Sequence, residues 1–173
     1  MLGKFFSKAQ KTHTEVTGIR VYVLQNQVVR FANQDLNAAM QAAWHRSFDP
    51  VTFYATAIDD CGAIFKMNEA FYPLLYADRR LGTEELGNLE IPLWADHGAF
   101  TCLSAEFPGG IPDDALPGFY WLLGSLLTQL IRPSTKALYF REAGLFVPST
   151  SGVLTRMKEP TPYLPSELVA IAG

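Results

Sequence analysis

"VTFYATAIDDCGAIFKM", residues 51–67, is the stretch on which the fold turns. Two apolar, β-prone runs, "VTFYATAI" and "AIFKM", flank Asp59-Asp60-Cys61-Gly62. The four intervening residues end in glycine, which enters left-handed backbone at little cost. Such an arrangement signals a hairpin with a four-residue loop or a bulge. It assigns the two aspartates to a turn, where their side chains bond the local backbone, rather than to catalysis.

Upstream, "GIRVYVL" (18–24) alternates and is β-branched, so it reads as a strand. "QVVRF" (27–31) reads as a second strand or a continuation past a bulge. Downstream, "GAFTCLSAEF" (98–107) alternates as well. It places Phe100, Cys102 and Ser104 on one face and Thr101, Leu103 and Ala105 on the other. "KALYF" and "AGLFV", joined through residues 141–144, suggest a second hairpin.

Helical spacing appears at Leu36, Met40, Ala43, Trp44 and Ser47, with Asn33 as the expected N-cap and Asp35 in the first turn. This predicts an amphipathic helix over 34–47. A second helix is expected over 117–131, where "FYWLLGSLLTQLI" is apolar nearly all round. The run is shorter than the roughly 20 residues of a membrane span and is interrupted by Ser125, Thr128 and Gln129, so it reads as a core helix. Residues 68–95 hold Pro73 and Pro92 and read as a short helix, a loop excursion and a strand near "LEIPLW". The tail, 159–173, carries Pro160, Pro162 and Pro165 and reads as an extended strap ending in a helical turn capped by Ser166. The expectation is a single α+β domain over 1–173. Its sheet is mostly antiparallel or mixed, of five or six strands, with two main helices packed on one face.

Hydrophobic residues make up 49 % of the chain and charged residues 18 %, against about 25 % charged in an average soluble protein. So few charges leave apolar surface for a partner or for a second copy of the chain. The net charge of −3 argues against nucleic acid, because phosphate binding needs a basic stripe. The N-terminus lacks the apolar stretch of a secretory signal. Cys61 and Cys102 form no CxxC pair, so a cytoplasmic, reduced chain with two free thiols is expected. Residues 1–12 form a short amphipathic segment, with Lys4, Lys8 and Lys11 on one side and Leu2, Phe5, Phe6 and Ala9 on another. Weak membrane-surface contact through 1–11 competes there with the simpler reading of a frayed or self-docked terminus.

Chemistry is sparse. Of His13, His45 and His97, only His97 sits near further reactive groups, beside Asp96 and five residues before Cys102. A Cys–His pair can generate a thiolate nucleophile. Five positions of strand span about 16 Å, however, so His97 would need a fold-back to reach Cys102, or an approach by Cys61. No metal-ligand spacing, GxSxG or phosphate-loop motif is present, and no cofactor or metal is expected. "FPGGIPDDALPG" places Asp113 and Asp114 where an anion would lie, and Ser149, Thr150 and Ser151 read as an ordinary helix cap.

Two functional expectations result. The first is a non-catalytic protein-binding domain, such as a small bacterial immunity, inhibitor or adaptor protein that occludes its partner. Asp59, Asp60, Glu84 and Glu85 would face a basic partner, and Phe71, Tyr72, Tyr76 and Trp94 would supply exposed aromatic anchors. The alternative is a small enzyme whose site joins His97 and Asp96 to Cys61 or Cys102.

Overall fold

The computed structural model describes residues 16–173; the amphipathic segment 1–12 and His13 lie outside the described residues. The elements in chain order are β1 (Val16–Gln25), α1 (Asn33–Trp44), β2 (Phe53–Ile58), β3 (Gly62–Met67), β4 (Ala70–Ala77), α2 (Thr83–Leu86), a 3-10 turn (Leu93–Ala95), β5 (Ala99–Ile111), α3 (Leu116–Leu130), β6 (Thr135–Phe140), β7 (Leu145–Pro148), α4 (Ser151–Lys158) and α5 (Pro165–Ala172). The strands form one sheet in the order β2-β3-β4-β5-β1-β6-β7, and every neighbouring pair is antiparallel. The α+β class is as expected, with seven strands among the described residues rather than five or six.

Alternation along the strands creates two unlike faces. Ile19, Val21 and Val23 of β1, Leu103 and Ala105 of β5, and Leu138 and Phe140 of β6 enter one large core with α1, α3, α4 and α5. In α1 the buried positions Leu36, Ala39, Met40, Ala43 and Trp44 keep the three-and-four spacing of a helical stripe. Trp44 also donates its indole N–H to the Leu122 carbonyl of α3 at 3.0 Å. α1 ends where His45 takes a left-handed conformation, φ 52°. The tail straps back over α3. Tyr163 is fully buried there and donates its hydroxyl to the Tyr120 carbonyl at 3.1 Å. Gly124 makes this approach possible, because a Cβ at that position would lie 1.9 Å from the Tyr163 hydroxyl.

Both outer edges of the sheet are closed. The outward backbone groups of β2 are bonded: Phe53 exchanges two hydrogen bonds with Asp49, and Ala55 exchanges two with the Asn37 carboxamide. The Ala57 N–H donates to the Asn33 side-chain oxygen at 2.6 Å. Asn33 is therefore not the N-cap of α1. Ala32 occupies that position, and Asn33 opens the helix with its side chain turned onto the strand. At the other edge, Ser149 N–H reaches the Lys136 carbonyl, so β7 turns its odd-numbered residues inward. Phe146 and Pro148 face outward; Pro148 has no N–H, and its carbonyl accepts from Thr150. Proline and short length blunt such an edge against further strands.

The segment 68–95 departs most from expectation. "AFYPLLYA" is a full strand, β4, despite Pro73. Tyr76 donates its N–H to the Cys61 carbonyl, so even-numbered residues of β4 point to β3 and odd-numbered ones to β5. The missing N–H of Pro73 thus faces β5, and the β4–β5 ladder stops at Leu74↔Leu103. "LEIPLW" forms no strand; it carries only the 3-10 turn. "QVVRF" is likewise an irregular connection. The tail ends in an eight-residue helix begun by Pro165, with the Leu164 N–H donated to the Glu167 carboxylate. Ser166 is not its cap.

Candidate binding surface

The face of the sheet opposite α1, α3, α4 and α5 carries the features that stand apart from the large core. Across it, one register row runs Phe146, Tyr139, Tyr22, Cys102, Leu75, Gly62 and Ile58. The connection from β4 to β5 folds over the middle of this row. Leu81 and Ala95 pack there against Tyr22, Leu24, Phe100 and Tyr139. The strands β2, β3 and β4 stay uncovered on this face, leaving Ile58, Phe71 and Leu75 exposed at 43 %, 53 % and 53 %.

His97 holds the covering segment in place. Its Nε2 accepts the Leu81 N–H at 3.0 Å, and its Nδ1 donates to the Ala95 carbonyl at 2.9 Å. The ring is 3 % exposed, and burial pushes its pKa below the ordinary histidine value. Both ring nitrogens are committed to the backbone, so the imidazole has no nitrogen to offer a thiol. Asp96 points away and pairs with Arg80.

The two cysteines differ in kind. Cys61 is exposed on the β2–β3 turn, whereas Cys102 is buried beside the Tyr22 hydroxyl. Burial pushes the Cys102 thiol up to about 12. Cys102 pairs with Leu75, which pairs with Gly62, so Cys61 adjoins a position two strands away. That separation is about 10 Å, beyond the reach of a disulfide without backbone movement. Among the described residues, no group of three or more His, Cys, Asp or Glu side chains could hold a metal ion.

Between the covering segment and the β2–β3 turn lies a cavity of about 650 Å³. Its floor is Tyr22, Cys102, Leu75, Ala77, Phe100 and Ser104. Three guanidinium groups from three different elements reach it: Arg20 from β1, Arg30 from the β1–α1 connection and Arg79 from the β4–α2 connection. Arg79 lies over the Phe100 ring, 5.1 Å from its centroid, and pairs with Glu85 through contacts of 2.6 and 3.2 Å. Glu85 also accepts the Gly82 N–H at 2.7 Å, and the Arg79 bond holds its carboxyl below the usual glutamate range. Arg20 pairs with Glu106 at 2.6 Å and with the part-buried Glu142 at 3.3 Å. Arg30 is held more loosely, by exposed Asp78 at 2.8 Å and by Asp60 at 3.5 Å.

The expected binding residues scatter over this surface. Asp59 and Asp60 sit at the hairpin turn, where the Cys61 N–H closes onto the Ile58 carbonyl and Asp59 takes φ 40°. Three residues, not four, separate the paired Ile58 and Gly62. Phe71 and Trp94 are exposed, Trp94 on the covering segment. Tyr76 borders the cavity near Arg30, but it packs against the helix-side core and its hydroxyl is buried, so it is no exposed anchor. Two further placements are corrected. Tyr72 is buried on the helix side against Trp44, so it is a core residue and no surface anchor. Glu85 is buried and occupied by Arg79, whereas Glu84 is exposed. Sequence reading missed the three arginines and Phe100, which are dispersed over residues 20–100. The alternation of "GIRVYVL", which puts Arg20 and Tyr22 on one face, was the available signal.

Among the described residues, no helix is long and apolar enough to cross a membrane. No known family model, curated protein or solved structure matches the chain.

Proposed function

We propose that the chain is a non-catalytic protein-binding domain, an adaptor or inhibitor of the kind small bacterial immunity proteins exemplify. It docks its partner on the uncovered part of the sheet face opposite α1, α3, α4 and α5. The observation that carries this reading is the exposure of Ile58 on β2 and of Phe71 and Leu75 on β4, strands that flank β3 and whose other face is packed core. Both edges of the sheet are closed, so a partner is met by side chains on the face rather than by an added strand. Asp59 and Asp60 stand at one end of the patch, where they would speed capture of a partner of basic character.

The test is capture of the tagged full chain from its native lysate, with mass spectrometry of what co-purifies. A stoichiometric partner should be retained by the parent chain and lost from Ile58→Asp and Phe71→Asp, each by at least about tenfold in affinity. A partner indifferent to both substitutions would move the interface elsewhere. A clean monomer from every fraction would remove the reading.

A further inference from the structure

We propose that the cavity over Tyr22, Leu75 and Phe100 is a binding site for an amphipathic organic anion: a carboxylate carried on an aromatic or branched aliphatic body. This site adjoins the docking patch and shares Leu75 and Asp60 with it, but Ile58 and Phe71 do not line the cavity, so variants at those two residues test the patch without touching the site and the two readings can fail separately.

Size, floor and the arginines of the wall fit this ligand. At about 650 Å³ the cavity falls within the roughly 300–1,000 Å³ of small-molecule sites. Its floor is apolar and aromatic, and Leu75 lies half-exposed in it. Two of the three guanidinium groups are fixed by carboxylates. Glu85 grips Arg79 at two points, and Glu142 accepts both the backbone N–H of Arg20 at 2.8 Å and its side chain. An arginine fixed in this way loses little freedom when it binds a further oxygen.

Arg30 is the exchangeable member. Asp78 holds its Nη2 at 2.8 Å, whereas Asp60 stands 3.5 Å from its Nε and is 93 % exposed, and surface pairs of this kind contribute little. A ligand carboxylate can take the place of Asp60 at Nε while that side chain turns to solvent and Asp78 stays bound. Asp60, Asp78 and Glu85 line the cavity as well, each paired to an arginine, so the acid gains its place by displacing an exposed carboxylate and not by filling a vacant positive site. The Ser104 hydroxyl at the floor adds a polar group for orientation.

The experiment is an NMR titration of the ¹⁵N-labelled full chain with 4-phenylbutyrate, its neutral amide and the matching amine. The acid should shift amides around Cys61, Leu75 and Arg79 and bind about tenfold more tightly than the amide or the amine. Arg30→Gln should weaken the acid about fivefold, leave the amide unchanged and retain a folded spectrum. A short peptide ending in a free phenylalanine carboxylate distinguishes the sources. Tighter binding of the peptide assigns a chain terminus, and tighter binding of phenylbutyrate assigns a free small acid. Equal binding of acid and amide, shifts confined to another surface, or no saturation by about 10 mM would overturn the site.

Discussion

Asn37 and Ala55 close a two-bond ring. The carboxamide oxygen accepts the Ala55 N–H at 2.8 Å, and the carboxamide NH₂ donates to the Ala55 carbonyl at 2.8 Å. The side chain imitates a neighbouring strand, and Asn33 repeats half of the pattern one pleat further along, at Ala57. Helix α1 thereby seals the edge of the strand that comes next in the chain. Replacing both asparagines by alanine frees the backbone of β2 to water and to other chains. The double variant should lose about 1–3 kcal/mol in urea unfolding and should associate with rising concentration in light scattering. A monomer of parent stability would show that the edge needs no seal.

Gly124 and Tyr163 form the second tight fit. Gly124→Ala places a methyl group where the tyrosine hydroxyl lies and should cost about 1–3 kcal/mol by overpacking. Tyr163→Phe removes the obstructing oxygen and, alone, loses the bond to Tyr120. A double-mutant cycle should therefore show the pair of substitutions costing less than the sum of the two single ones. Strict additivity would mean that the strap and α3 adjust independently.

His97 ties pH to the cover over the sheet. Its pKa is lowered in the folded chain, chiefly by burial, so the unfolded chain binds a proton more readily. The stability this contributes is fully present above the ordinary histidine value of 6.5 and is lost as pH falls through the depressed folded value. His97→Ala should abolish that portion of the acid-side slope. It should also cost about 1–3 kcal/mol near neutrality, because Leu81 N–H and Ala95 C=O lose their partner. Unfolding midpoints at a series of pH values check both, and an unchanged slope in the variant would contradict the assignment.

The thiols should separate cleanly by reactivity. Cys61 is exposed and should react promptly with a thiol reagent in the native protein. Cys102, buried with its pKa pushed up to about 12, should react only once denaturant opens the sheet. Peptide mass spectrometry after brief labelling gives the answer, and early modification of Cys102 would refute its burial.

The hairpin at residues 51–67 was legible because both of its flanks are apolar and β-prone and its turn ends in a glycine that backbone packing requires. A Cβ at Gly62 would lie 1.9 Å from the Leu74 carbonyl. β4 was not legible, because proline within an apolar run argues against a strand. The orientation of Pro73 toward the place where a ladder ends is a tertiary fact. That omission carried through to Tyr72, whose side of the sheet could not be assigned without its strand. The cavity was least legible of all. Arg20, Arg30, Arg79 and Phe100 meet only because β5 lies between β4 and β1, which no local pattern encodes.

The sheet order also sets a timetable for the growing chain. β1 leaves the ribosome before every other described strand, yet its two neighbours are β5 and β6, which end at Ile111 and Phe140. At about 5–20 residues per second, the strand waits roughly 6–23 s before both partners exist. Its alternate residues, Ile19, Val21 and Val23, must stay out of aggregates during that time. Pairings between distant segments also make refolding slow. Of the described strands, the one made earliest is among the last to find its place.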